Sequence, residues 1–262
     1  MTDPKNKPKP PKPDPSTHFF LKECLCVTGE RAPTKRSPLD IVVGTRGIIP
    51  LWVKGTVLRY RFNHTSAVAL TKLGKSKEEI LRLFNKAVGK WGDAAPVKFI
   101  KDDVAWDFEF DVRKDTFCFD GGCVLASAFF PDTGRHQLVI YSSMFDHGES
   151  EQVETLVHEL GHIFGLRHWF AKDEDGNGWN SVVFGRNNPV TIMNYDDKKT
   201  LTDESTFTDD DKNDLIQLYN SAWSGGLTLI NKTPIMLFES FSSRISQAKP
   251  PMPESATVTP VQ

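Results

Sequence analysis

The run HELGHIFGLRH at residues 158–168 limits what this chain can fold into more than any other stretch. In an α-helix, residues four apart are separated by about 40° around the axis. His158 and His162 therefore project from one face, one turn apart. Glu159 follows the first of them. Gly165 tolerates positive φ, so the chain can turn sharply there. His168, three residues later, is then brought back toward the two helical imidazoles. A fold containing this run needs a helix that ends near Phe164, a tight turn, and a place where three imidazoles meet.

That spacing suits a transition metal. Two imidazole nitrogens one helical turn apart can share a tetrahedral zinc at about 2.0–2.1 Å each, with a third ligand from elsewhere and the fourth position left to water. His168 supplies the third. Glu159 can reach a water on the metal without ligating the metal itself. The other histidines, His18, His64, His136 and His147, have no ligand spacing and read as surface or local structural groups.

Around this run the pattern is α+β with a mixed sheet. TVLRYRF at 56–62 alternates apolar and charged residues and reads as a half-buried strand. KSKEEILRLFNKAVGKW follows, with Ser76 and Glu79 forming a capping box and Ile80, Phe84, Ala87 and Trp91 marking one buried helical face. VKFI, DFEFDV, ASAFF and QLVIYS read as further strands. A helix opens near Ser150 and runs to about Phe164. A last helix opens at Thr208 on DDDKNDLIQLYNSAW, whose three leading aspartates suit the helix dipole. The loop-rich stretch between these two helices is long for a structureless connection, which points to function or bound ions. Residues 1 to about 17, rich in Pro and Lys, and those from about Gln247 onward cannot bury a core and read as disordered.

The chain has a formal net charge of -2 and 25% charged residues, so nothing in its charge balance draws it to nucleic acid or an anionic membrane. No apolar run approaches the roughly 18 residues of a spanning helix. The N-terminal MTDPKNKPKPPKPDPST lacks an apolar core, so it is not a standard secretory signal. The expectation is a cytoplasmic protein, one that leaves by another route, or one whose signal has been removed. Of the four cysteines, Cys118 and Cys123 flank FDGG and either close a small loop by disulfide or remain free thiols.

The full pattern H-E-x-x-H-x-x-G-x-x-H resembles the metzincins, and most closely their matrixin and astacin branches. A second family mark, TIMNY at 191–195, follows downstream. The resemblance implies a metzincin-type catalytic domain over 51–223: a mixed twisted sheet, the active-site helix with a second long helix above it, and a small C-terminal subdomain carrying the Met-turn and the final helix. It leaves 1–50 as a pro-like arm and 224–262 as an extension, largely disordered after 247. It implies a zinc-dependent endopeptidase that hydrolyses internal peptide bonds, with His158, His162 and His168 on the metal and Glu159 as general base and acid. Met193 is the Met-turn methionine beneath the histidines. Tyr195 matches the tyrosine that, in astacin-like and serralysin-like enzymes, is an extra ligand that swings to stabilise the oxyanion.

FDGGCVLASAFFPDTG resembles the matrixin stretch ending in the substrate-binding edge strand, here Ala126, Ser127, Ala128 and Phe129. FTDDDKNDLIQLYN resembles the closing matrixin helix. The implied partner is a peptide or protein substrate, with the chain a monomer; family resemblance favours an extracellular setting. A calcium ion is a second possible cofactor, with Asp120 as one matching position. Ser127 stands where matrixins place a histidine for a structural zinc, and Trp169, after the third histidine, fits no common subfamily choice. DEDGNG at 173–178 resembles the start of a calcium loop, but Phe184 occupies the twelfth position, and a solvated turn is the better reading. Cys24 or Cys26 could latch the metal's open position, although KECLCVTGE does not match the matrixin switch. The rival reading is a non-cleaving binding protein on the same scaffold.

Overall fold

Alternating residues build the central sheet, and the computed structural model of the chain describes residues 41–43, 47–119, 122–168, 182–184, 191–193 and 207–247. Strands β1 (Ile41–Val43), β2 (Ile49–Trp52) and β3 (Val57–Phe62) lead into helices α1 (Ser66–Leu73) and α2 (Lys77–Trp91). Then come β4 (Lys98–Lys101), β5 (Phe108–Arg113), β6 (Phe117–Phe119), β7 (Gly122–Val124), β8 (Ala126–Ser127) and β9 (His136–Tyr141). Helix α3 (Glu149–Ile163), β10 (Leu166–Arg167), β11 (Val182–Phe184), α4 (Asp209–Trp223), β12 (Leu229–Ile230), β13 (Thr233–Phe238) and α5 (Phe241–Gln247) complete the order.

The main sheet has the order β4-β3-β5-β9-β8. Its first four strands are parallel and β8 runs antiparallel to β9 at the outer edge. The sheet is therefore mixed, and the fold is α+β as expected. Phe108, Phe110 and Val112 point to the core, where Phe110 meets Phe84 of α2 edge-on at 5.0 Å. The intervening Glu109 and Asp111 are also buried, and each is held by an arginine, Arg61 at 2.7 Å and Arg113 at 2.8 Å. Pairing is what allows two carboxylates to lie there, since an unpaired buried charge costs far more than it returns.

Helix α2 buries Ile80, Phe84, Ala87 and Trp91 as its spacing predicts. Ser76 caps it by accepting from Glu79 N. The expected reciprocal half of the capping box does not form, because the Glu79 carboxylate pairs with Lys75 at 2.7 Å instead. The expected edge strand Ala126–Phe129 is strand only over Ala126–Ser127; beyond it Phe129 leaves the ladder to stack on the His136 ring at 4.3 Å.

The expected boundary at residue 51 lies within β2, and β2 pairs in parallel with β13, Ile49 facing Ile235 and Trp52 facing Phe238. Residues beyond Trp223 thus contribute strands and a helix to the folded body. Helix α5 is tied down by Asp107, which accepts from Ser242 N at 2.6 Å, Ser242 Oγ at 2.9 Å and Arg59 N at 2.7 Å. The Arg135 guanidinium, lying 4.3 Å from the Trp106 ring and 4.4 Å from that of Phe241, adds a cation–π clamp.

One hydroxyl joins three elements. Tyr219 of α4 donates to Phe164 O at 3.0 Å, at the end of α3, and accepts from Trp52 N of β2 at 3.3 Å. Tyr219→Phe leaves both buried groups short of a partner. It is expected to lower stability by about 1–3 kcal/mol, read as a lower urea midpoint with an unchanged denaturant slope.

Candidate metal centre

Helix α3 carries the first two histidines, and every residue from Gln152 to Ile163 is buried. Its first turn holds Glu149 and Glu151, favourable at the positive helix end, and Glu151 accepts the Gly148 N–H at 3.2 Å. Two indoles fix its register. Trp91 donates to Val157 O at 3.0 Å and Trp52 to Ile163 O at 2.7 Å. Gly165 then ends the helix, its N–H donating to His162 O at 2.8 Å. Its φ is +90°, and a Cβ there would come within 2.5 Å of Pro50 O, so both backbone and packing require glycine. The turn feeds β10, which pairs with β1 and delivers His168 to the two helical rings.

The three imidazoles meet as their spacing predicts. His158 Nε2 lies 3.0 Å from His162 Nε2 and 3.2 Å from His168 Nε2. All three rings are buried, and their ligand atoms lie within 4.8 Å of one another. His158 Nδ1 donates to Ile192 O at 2.7 Å, and His162 Nδ1 donates to Leu166 O at 2.6 Å. A neutral imidazole that donates through Nδ1 has no proton on Nε2. Two Nε2 lone pairs facing each other at 3.0 Å repel unless a cation lies between them. Four ligands at about 2.0–2.1 Å around tetrahedral zinc are separated by about 3.3 Å, close to these spacings. The residues present fit that metal.

Burial sets the protonation states. It pushes His158 down to about 3, against the opposing pull of its bond to Ile192. His162 and His168 are also held well below the ordinary value, first by burial and then by neighbouring histidines. Neutral rings are the form a metal requires. Glu159 is fully buried, and burial raises its carboxyl well above the usual range, opposed by the backbone N–H of Ala128.

Met193 lies under the site. It is buried, and a Cβ on Gly161 would come within 2.5 Å of its Sδ, so helix and turn touch closely. The turn itself is held from α4. Thr191 Oγ1 donates to Asp211 and accepts from Met193 N at 3.2 Å. The second Asp211 oxygen accepts from Thr208 N at 2.8 Å and Thr208 Oγ1 at 2.9 Å. Asp211 thus fixes the segment whose Ile192 carbonyl orients His158. Sequence reasoning takes this aspartate only as a helix-dipole acid; the Thr208-to-Asp211 spacing, a capping-box pattern, is the local signal that it has a second duty. Phe130, whose ring meets His162 edge-on at 5.4 Å, is a further neighbour not foreseen.

His136 bonds Asp132 at 2.7 Å and His147 lies 3.3 Å from Glu151, the local roles expected of them. Cys118 and Cys123 are disulfide-bonded. Tyr195, Asp120, Trp169, Cys24, Cys26 and residues 173–178 lie outside the described residues, as do 1–40 and 248–262. No helix among the described residues is long and apolar enough to cross a membrane.

Comparison with known proteins agrees with this geometry. The family profile described as Matrixin matches residues 51–175, from β2 through all three histidines. Over this segment, just under half of the chain, the sequence is similar to the matrixins. Metalloendoproteinase 4-MMP of Arabidopsis thaliana is 31% identical over 138 residues, covering 47% of this chain and 40% of that protein. Macrophage metalloelastase of Rattus norvegicus is 33% identical over 128 residues, 45% of this chain and 26% of its own. Stromelysin-3 of Homo sapiens is 30% identical over 106 residues, 36% and 22%. The matrixin segment therefore spans two-fifths or less of the length of these relatives. The solved structure of myroilysin overlaps 68% of this chain and 98% of its own at a TM-score of 0.45 and 12% identity, too slight a likeness to bear on the assignment.

Two outcomes follow from the site. Asp211→Ala is expected to weaken zinc binding about tenfold, as loss of supporting groups around a metal does, measured by competition with a chromogenic chelator; Asp211→Asn should recover part of it. For the metal-free protein, the histidines are held below their ordinary value of about 6.5, so the unfolded chain binds more protons than the native one between that value and the folded ones. Stability therefore rises with pH across this window and is lost on acidification, by up to about 1.4 kcal/mol per pH unit for each imidazole. Denaturation of chelator-treated protein between pH 5 and 7, with the slope flattening above about 7, checks this.

Proposed function

We propose that this chain is a metzincin of matrixin type and a zinc-dependent endopeptidase that hydrolyses internal peptide bonds. The observation that carries this reading is the pair of Nδ1-tethered imidazoles whose unprotonated Nε2 atoms face one another at 3.0 Å, with the buried Glu159 next in the chain to the first. His158, His162 and His168 would hold the zinc. When bound, that ion supplies Lewis-acid polarisation of the scissile carbonyl and acidifies a water. Glu159 accepts a proton from the attacking water and returns it to the leaving amine. Tyr195, two residues beyond Met193, donates to the developing oxyanion. The substrate is an extended peptide that adds as a strand beside β8, the outer strand of the main sheet, with Ala126 to Phe129 along the cleft. Met193 supports the histidines from below.

Glu159→Gln keeps the size and removes the base. It is expected to lower peptide turnover by at least about a hundredfold while zinc content stays at the wild-type level, measured by a quenched-peptide assay alongside elemental analysis. Near wild-type cleavage by this variant would refute the mechanism. A wild-type chain that holds one zinc yet cuts nothing in a diverse peptide library would favour the non-cleaving scaffold.

A further inference from the structure

We infer that the Cys118–Cys123 disulfide is a redox-sensitive clasp on the peptide-binding edge: when it is reduced, the edge loosens and binding of extended substrates weakens, while the metal centre stays intact. The inference rests on the reading of Ala126 to Phe129 as the substrate edge. Its structural part, a covalent control over the order of that edge, can be tested separately.

The bond joins two residues directly opposite in a hairpin, Cys118 on β6 and Cys123 on β7. Among the described residues β6 pairs with β7 and with no other strand. A two-stranded hairpin is marginal in water by itself, so the cross-link is the main tie on β6. Cys118 is exposed and Cys123 half-buried, so a reductant in solution can reach the bond.

Beyond Cys123 the chain runs without a turn to the catalytic carboxylate. Val124 O accepts from Ser143 Oγ at 2.5 Å, and Leu125 O accepts from Tyr141 N at 2.9 Å. Ala126 and Ser127 then face Ile140 and Val139 of β9, and Ala128 presents its N–H to Glu159. The hairpin is therefore continuous with the edge strand, with only Val124 and Leu125 between Cys123 and the two residues of β8.

The bond closes a short loop, so it confines the unfolded chain less than a cross-link over a longer loop would. The fold is held elsewhere, by a core that includes Trp91, Phe84, Phe108 and Phe110. The metal centre is held by other segments, with Ile192 and Leu166 orienting two of its rings. Reduction thus acts locally. In the reaction, an external dithiol passes two electrons and two protons to the bond. The S–S bond breaks, Cys118 and Cys123 become thiols, and the dithiol leaves as a disulfide.

The test uses the full zinc-loaded chain, reduced with a water-soluble phosphine because thiol reductants would also compete for zinc, and in parallel the double variant Cys118→Ser/Cys123→Ser. Both are expected to exchange the amide protons of residues 126–128 about tenfold faster than the oxidised protein. Both should keep one zinc per chain, and kcat/KM for an extended peptide should fall about fivefold, chiefly through KM. Reoxidation should restore the wild type and leave the variant unchanged. Exchange and kcat/KM within about twofold of the oxidised protein would overturn the proposal, as would loss of zinc or of the folded far-ultraviolet signal on reduction. The exchange measurement needs no turnover. If the wild type cuts no peptide, the peptidase reading fails while exchange still decides the clasp.

Discussion

The hydrogen bond from His158 Nδ1 to the Ile192 carbonyl, 2.7 Å long and buried, couples α3 to a turn 34 residues away. With its counterpart from His162 to Leu166, it decides which nitrogen of each ring is bare and where that nitrogen points. Without these bonds the helix would still present two imidazoles on one face, but with neither tautomer nor ring rotation fixed. Much of the surrounding structure holds the two carbonyls in place. The Gly165 turn positions Leu166, and the network from Asp211 through Thr191 positions Ile192.

Burying a helix that carries Glu154, His158, Glu159 and His162 is costly unless each is paired or has a task. Here the histidines are kept neutral by the same burial that threatens them, and together they could ligate one metal ion. Burial likewise raises the Glu159 carboxyl above its usual range. The indoles of Trp52 and Trp91 and the Tyr219 hydroxyl satisfy α3 backbone carbonyls at 163, 157 and 164. A polar-faced helix is thus carried in an apolar interior without stranded backbone groups, and its register against the sheet, and so against the edge at β8, follows.

The metal centre was legible because its determinants are local: a four-residue spacing, a glycine and a third histidine within one short run. Helix α2 was legible for the same reason, since Ile80, Phe84, Ala87 and Trp91 keep helical period. What escaped depends on distant partners. Strand β13 falls in what reads as an extension because its partner β2 lies some 180 residues earlier, and Met236 and Leu237 remain exposed. Helix α1 has no acidic first turn and no side-chain cap, so its short apolar run carries no start signal. The role of Asp211 is invisible until Thr191 is brought beside it. The edge strand was read two residues too long because the stacking of Phe129 on His136 is a tertiary choice.

The central claim is that three buried imidazoles form one metal site. X-ray absorption at the zinc edge, combined with elemental analysis of the purified chain, tests it most directly. The account predicts about one zinc per chain, bound through three imidazole nitrogens at about 2.0–2.1 Å, and lost when His158 is replaced by alanine. A chain that takes up no zinc, or one whose zinc content and coordination are unchanged in His158→Ala, would contradict it.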